Sequence, residues 1–529
     1  MSNDVTTPDG GAPMAAPAKK RRALWVAGVA GLSGVVGLAA LGGIAARDDK
    51  ADGTQRVSEV QSATAQQKAS GTGTADVGSG EEEDKKAGQD PGEGYDRQDA
   101  TAAPGGKQWR GKEDKGKDKD KEKDEYGPAK QLPCDSEVLV EAVNRANEDN
   151  GGVFQLAKDC EYKLIEQTDN NAFPAIDERI VLLGHNSKLV HDGSELFRFF
   201  EVLSGGELIL KDLTLRGGQV TSPPPLQPNG ANGGALFVQE GGRAVLKHTK
   251  LVDNRATGVG ATGGNGGAIY NLGDVEIHKS VLADNHARGT GTPGGNGGAI
   301  YNEGTLAVHD SELANNTATS TGQGGNGGAI ANRDNGRTTI THSQILNNKA
   351  TNDGGGIDSD ENSHLTVIRT KLAGNVAGDD GGAISTNGNS VMSLEYVVIA
   401  GNKATDNGGG IEHDSTSIAT VKHTKFLDNT AGDNGGGLYN DETLNLFNTE
   451  FKGNHAEEGG AIYNDNNNGV LTVRKSTIIY NFAAEAGSPT TGAGGIFNDN
   501  NTNDVTIDDK TIIRNNEPRN CVNVTGCAN

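Results

Sequence analysis

Asp358, Ser385 and Glu412 each follow an isoleucine directly, and those isoleucines (Ile357, Ile384, Ile411) lie 27 residues apart. Two carboxyls flanking a hydroxyl in one register are residue types suited to acid–base work or to the recognition of hydroxyls. The same register holds Phe237, Tyr270, Tyr301 and Ala331 before them, and Tyr439, Tyr463 and Phe497 after them. Only 4% of the chain is aromatic, so six aromatic residues in one register are not an effect of composition. Side chains alternate along a strand, so an inward Ile places the next residue outward. On that reading Tyr270, Tyr301, Ser385, Tyr439, Tyr463 and Phe497 form a surface that stacks and bonds sugars. Asp358 and Glu412 then stand two coils apart, roughly 9–10 Å between backbones. Inverting glycosidases separate their carboxyls by about 6.5–9.5 Å, so the pair admits acid and base roles. His413 and Asp414 add a second candidate base. A ladder that only stabilises a sheet by aromatic stacking is the alternative.

A second acidic pattern lies nearby. Four residues before the repeated Ile stand Asn232, Asn265, Asn296, Asn326, Asp353, Asp380, Asn407, Asn434 and Glu458. One residue earlier come Asp379, Asp406, Asp433 and Glu457. Carboxylates one coil apart, as in Asp380, Asp406 and Asp433, can share Ca²⁺. Calcium is the one cofactor that this pattern admits. Asn and Asp also accept left-handed turns, which explains the ridge without a ligand. His248, His278, His309, His342 and His423 recur too, but their register shifts and reads as surface turns.

What positions these residues is a repeat. Between residues 232 and 515 a Gly-Gly-(Ala/Gly)-(Ile/Leu) stop, read as Ala493-Gly494-Gly495-Ile496 in its last copy, is followed, ten times, by apolar-x-x-Asn. The first element ends at Leu236, Ile269, Ile300, Ile330, Ile357, Ile384, Ile411, Leu438, Ile462 and Ile496. The second ends at Asn254, Asn285, Asn316, Asn348, Asn375, Asn402, Asn429, Asn454, Asn481 and Asn515. A fixed period in this range means a solenoid. Each unit holds short β-prone runs such as Ile300–Asn302, Thr305–His309 and Glu312–Asn315, with Gly, Asn, Asp and Thr between them, and no 3.6-period run. Calcium-binding nonapeptide spacing and the leucine-rich consensus are absent. The expected fold is all-β: a right-handed parallel β-helix of about twelve coils, with Ile and Leu ladders inside and Asn ladders at the turns. Open ends of such a stack invite aggregation. Leu139, Ala142, Val143 and Ala146 make one apolar face of a short helix, N-capped by Asp135 or Ser136, that covers the first coil.

The tetrapeptide pair, for example Gly266-Gly267-Ala268-Ile269 with Leu282-Ala283-Asp284-Asn285, resembles the repeats of chlamydial polymorphic membrane proteins, which are surface adhesins. The segment Cys134…Leu139-Val140-Glu141-Ala142-Val143…Gly151-Gly152-Val153…Cys160-x-Tyr162-x-Leu164 resembles the capping segment of secreted actinobacterial β-helix repeat proteins, a family mostly of unassigned function. The resemblance covers roughly residues 133–529. It implies the fold and a surface or secreted setting. No autotransporter barrel follows the repeats, so that secretion route does not carry over.

Composition divides the chain. Residues 1–22 end in Lys19-Lys20-Arg21-Arg22, and residues 23–46 carry no charge. That uncharged stretch reads as a membrane anchor with a cytoplasmic N-terminus, or as a signal peptide cut near Gly43-Ile44-Ala45. Residues 47–132 read as a disordered polyampholyte linker, and 133–529 as the repeat domain. Residues 1–132 hold 20 basic and 22 acidic residues of the 48 and 71 in the whole chain. The remaining 28 against 49 give the repeat domain a net charge of −21, which argues against nucleic acid as a partner. The four cysteines form two local pairs, Cys134 with Cys160 and Cys521 with Cys527, at the two ends of the domain. Disulfides in an oxidising compartment are the natural reading, with metal binding the alternative.

Two function classes remain. One is an adhesin-like β-helix at or beyond the cell surface, with an extracellular glycan or cell-wall polymer as partner. The other is a polysaccharide lyase or glycoside hydrolase on the same scaffold. The pectate-lyase-like Arg-x-Pro-x-x-Arg run and the polygalacturonase-like Asn-Thr-Asp, Gly-His-Gly and Arg-Ile-Lys set are both absent, which disfavours the second.

Overall fold

The computed structural model describes residues 126–529, apart from 222–230, 260–262, 291–293, 323, 466–468, 485–491 and 500–503. The basic segment 1–22, the uncharged stretch 23–46 and nearly all of the linker lie outside these residues. Among the described residues no helix is long and apolar enough to cross a membrane.

The repeat forms a parallel β-solenoid. A typical coil runs Ile300–Asn302, Thr305–His309, Glu312–Ala314 and Thr317–Ser320. The Ile-x-Asn strands stack into a twelve-stranded face from Phe200–Val202 to Cys521–Val522. The next two strands of each coil share a 25-stranded sheet. Register is strict: Ile300 pairs with Ile330, which pairs with Ile357, which pairs with Ile384. The fourth strand was not expected. It exists as a five-stranded sheet in the longer early coils and thins to single bridges such as Lys349–Val376–Lys403–Thr430 once the period falls to 27. The early periods of 33, 31 and 30 residues give it length that a 27-residue coil lacks, and farther on, among the described residues, it returns only as the two-residue pair His455–Ala456 and Phe482–Ala483.

The interior is apolar and closed. Ile300, Ile330, Ile357, Ile384 and Ile411 have no exposed surface. At the neighbouring corner the repeated Asn is buried as well. The Asn375 Oδ1 accepts from both the backbone N and the Nδ2 of Asn348, at 3.0 Å each, and Asn375 Nδ2 donates to Ile345 O and to Asn402 Oδ1. The pattern repeats from Asn254 to Asn516. The ladder therefore ends on Asn516 rather than Asn515, because Ile513, not Ile512, pairs with Ile478. Asn515 takes the left-handed turn position just before it.

Both ends are capped. The helix α1 (Ser136–Glu148) is N-capped by Asp135, whose carboxylate accepts from Glu137 N and Val138 N, and it buries Leu139, Ala142, Val143 and Ala146. The strand Lys130–Gln131 pairs with Phe154–Gln155, so the solenoid reaches into residues read from sequence as linker. Cys134–Cys160 and Cys521–Cys527 are disulfide-bonded, with Cα atoms 5.7 and 6.2 Å apart.

Two substitutions test this architecture. Ile384→Asp places an unpaired charge in the closed interior and is expected to cost upwards of about 4 kcal/mol. Asn375→Ala strands two buried donors of Asn348 and the carbonyl of Ile345, at about 1–3 kcal/mol for each unsatisfied group. Chemical denaturation of both variants measures the losses. A cost below about 1 kcal/mol for Asn375→Ala would show that the ladder carries little of the stability.

Candidate functional site

The ladder after the repeated Ile is in register as expected: Ala331, Asp358, Ser385, Glu412 and Tyr439 pair in succession. It faces away from the Ile core, but it is not a surface. Asp358, Ser385 and Glu412 are buried, as are Tyr270, Tyr301, Tyr463 and Phe497, and Tyr439 is half-buried. The cover is the turn that precedes each strand. Gly354, Gly381 and Gly459 adopt φ of +63°, +66° and +62°, and the turn doubles back onto the residue four positions later. A Cβ on these glycines would stand 2.7–2.8 Å from the Cβ of Asp358, Ser385 and Tyr463, so only glycine fits. Alternation predicted the direction of these side chains correctly. It carried no information about the turn lying over them.

Beneath the turns the aromatics pack on one another. Tyr270 and Tyr301 stack at 5.1 Å, Tyr439 and Tyr463 at 5.5 Å, and Tyr463 and Phe497 at 5.3 Å. Tyr439 OH donates to Asp465 Oδ2 at 2.7 Å, and burial beside carboxylates pushes the tyrosine hydroxyls up. These rings are a packing element, not the open sugar-stacking platform expected for Tyr270, Tyr301, Tyr439, Tyr463 and Phe497.

The acidic centre is likewise internal. Ala331 leaves out one ring of the ladder, and the buried Arg333 pairs with Asp358 and with Asp360. Burial pushes the Asp358 carboxyl up and Arg333 opposes it, while the two aspartates strengthen the proton affinity of the guanidinium. Arginine does not shed its proton, so the pair stands as an internal ion pair. Glu412 accepts from Ser385 Oγ at 2.6 Å, and Asn387 Nδ2 donates to that hydroxyl. Burial first, then Asp380, Asp353 and Asp414, raises the Glu412 carboxyl well above the usual range. Asp358 and Glu412 are thus held on separate partners under a glycine turn, which removes the expected acid and base pair from substrate. His413 is no alternative base. It points to the other side of the strand, fully buried, with Nδ1 toward Thr386 and Ser417 and Nε2 toward Thr443 O, and burial lowers it to about 4.

Of the expected calcium residues, Asp380 joins a tight group, with Asp353 and Asp379 rather than with Asp406 and Asp433. Carboxylate oxygens of those three lie within 4.8 Å of one another. Asp353 and Asp380 also continue the turn ladder, accepting from Asp380 N and Asn407 N as the asparagines do elsewhere. Asp406 and Asp433 stack through the backbone instead: Asp406 N donates to Asp379 O and Asp433 N to Asp406 O.

The exposed aromatics that sequence reading passed over stand at another corner, between the second and third strands. Tyr396 is 45% exposed and stacks on His423 at 4.6 Å. The guanidinium of Arg369 lies 5.1 Å from the Tyr396 ring, Phe447 meets His423 edge-on at 5.7 Å, and the Lys475 ammonium lies 5.0 Å from the Phe447 ring. Arg369, Tyr396, His423 and Lys475 share one left-handed turn position, with Asn448 at the same position in the coil between His423 and Lys475, and Phe447 sits at the strand end beside it. The histidine recurrence was the available signal. The one-residue shift hid that a turn row and a strand-end row run side by side.

Residues 448–465 match the profile of the Chlamydia polymorphic membrane protein repeat. The repeat is similar to theirs. No curated protein matches the chain. Among solved structures, bacteriophage CBA120 tailspike protein 3 aligns at 11% identity and a TM-score of 0.32, covering 74% of this chain and 59% of the tailspike.

The carboxyl group gives a pH prediction. Burial, partly offset by a bond from Asn407 N, raises Asp380 to about 7, and Glu412 is raised as well. A carboxyl raised on folding is held protonated by the folded state. Its contribution is therefore intact below about pH 4 and lost as pH rises toward about 7. Glu412→Gln keeps an acceptor for Ser385 and cannot ionise. It is expected to raise the melting temperature at pH 8 by a few degrees and to flatten its fall as pH rises above about 4. A steeper fall in the variant would show that the charge on Glu412 stabilises the fold. Millimolar calcium at pH 8, followed in the same melts, checks whether the Asp353, Asp379 and Asp380 trio takes the ion.

Proposed function

We propose that this chain is displayed at the cell surface or secreted, and that it binds an extended glycan or cell-wall polymer along the corner of Tyr396, His423 and Phe447. The observation that supports this reading is a row of rings that follows the coil repeat, exposed at Tyr396 and half-buried at His423 and Phe447. The row runs from Arg369 to Lys475, four coil steps or roughly 19 Å, beside a flat parallel sheet. Ser393, Thr420, Asn445 and Thr472 hold the middle positions of that sheet in register, a row of hydroxyls and amides beside the rings. Sugar rings present apolar faces to aromatics and hydroxyls to such a floor. The two disulfides agree with an oxidising compartment, whether residues 23–46 anchor the chain or are removed. An adhesin-like binder fits this arrangement better than a hydrolase or lyase, because Asp358 and Glu412 lie under the glycine turns.

The full chain, screened on a glycan array, is expected to retain at least one extended polysaccharide. The Tyr396→Ala, His423→Ala double variant should weaken that binding about tenfold at an unchanged melting temperature, from about 0.5–1.5 kcal/mol per stacked ring. Tyr463→Phe should leave it untouched. Wild-type binding by the double variant would remove this corner from the reading. Sugar release from the bound polymer by wild-type protein would favour the enzyme class instead.

A further inference from the structure

Around the exposed rings the charge is opposite to that of the molecule. The whole chain carries −23, yet Arg369, Lys422, Arg474 and Lys475 cluster along this one corner. Lys422 and Arg474 occupy the strand-end register that also holds Phe447, and Arg369 and Lys475 the turn register of Tyr396 and His423. All four are exposed. Among the described residues none of the four makes an ion pair with a carboxylate, whereas Lys425 in the next strand is paired with Glu450. Two of the four lie over rings, Arg369 over Tyr396 and Lys475 over Phe447, which holds each charge beside an apolar stacking surface. Glu395 is the one carboxylate in the same strand-end register between Ile368 and Arg474. At physiological salt, charges beyond about 8 Å are largely screened, so a ligand lying on this corner meets the local cations more than the distant net charge.

We propose that this corner recognises a linear anionic polysaccharide, its sugar rings against the outward edges of Tyr396, His423 and Phe447 and its acid groups on Arg369, Lys422, Arg474 and Lys475. This rests on the glycan reading above and narrows it to the charged class. Coils advance about 4.8 Å each, so the cations recur along the row at a spacing that serves a repeating polymer rather than a single small anion. A neutral polymer would leave four exposed cations without use. A single-stranded DNA offers rings and charges too, but its deoxyriboses bring no row of hydroxyls to match Ser393, Thr420 and Thr472.

The test measures binding of the full chain to polygalacturonate and to dextran sulfate, with methyl-esterified polygalacturonate and dextran as neutral counterparts and oligo(dT) as a polyanion of another class. At least one acidic polysaccharide is expected to bind tenfold or more tightly than its neutral counterpart, and to weaken at least tenfold between 50 and 500 mM NaCl. Arg474→Gln, Lys475→Gln should reduce acidic binding about tenfold, and Arg474→Glu, Lys475→Glu should abolish it, with melting temperatures unchanged. If the charge-reversed protein fails to fold, the Gln pair alone decides. Equal binding of acidic and neutral forms, or salt-independent binding, overturns the anionic assignment while the glycan reading stands. Failure of every polysaccharide overturns both. Tighter binding of oligo(dT) than of any polysaccharide overturns the choice of class.

Discussion

From Asn254 onward, every coil of the solenoid depends on one amide. The repeated Asn is fully buried at a corner, and its side chain does the work of a backbone group. It accepts from the coil before it and donates both to the coil after it and to a carbonyl of the coil before it. A turn inside a closed stack leaves polar backbone groups that no water can reach, and each must be satisfied. Only a short side chain with one acceptor and two donors fits between layers spaced about 4.8 Å apart. Because each Asn needs the next, the ladder also locks register. A slip of one residue would break several bonds at once and turn the Ile row outward.

The second polar row shows what happens when that rule is relaxed. The third residue of the Ile-x-Asn strand forms an amide ladder through Asn271, Asn302 and Asn332, and again through Asn440, Asn464 and Asn498. In the three coils between, it reads Ser359, Thr386 and His413. The same three coils exchange the aromatic row for Asp358, Ser385 and Glu412. Both substitutions are internal, and each is answered locally: Ser359 by Ser363, His413 by Thr386 and Ser417, Asp358 by Arg333. What looks along the sequence like an active centre is a stretch of solenoid stabilised by polar networks instead of stacked rings. Such networks are specific when satisfied and costly when not.

The exposed ridge has the opposite logic. Tyr396, His423 and Lys475 stand at a left-handed turn position that the fold fills elsewhere with Lys279, Asp310 and Asn448. The backbone there accepts almost any residue that tolerates the turn, and the side chains touch mainly their neighbours in the same row. Chemistry placed at such a position does not disturb the core. A β-helix can therefore carry a binding row at one corner while its amide ladders remain unchanged at another.

The one-dimensional repeat made much of this legible. Ile spacing specified the interior row, Gly-Gly and apolar-x-x-Asn marked the turns, and the i, i+3, i+4, i+7 pattern of Leu139, Ala142, Val143 and Ala146 specified the capping helix. Those features are local or strictly periodic, and stacking converts period directly into contact. The depth of a side chain is different. Asp358 and Glu412 point away from the core, as alternation requires, yet a glycine turn lies on them because positive φ at Gly354 and Gly408 folds the chain back. Sequence by itself determined which residues share a row and which way the row points. Only the tertiary structure decided which outward rows meet solvent, because that depends on the path of the turns over the coil, and the turn path is not periodic in the residues it covers.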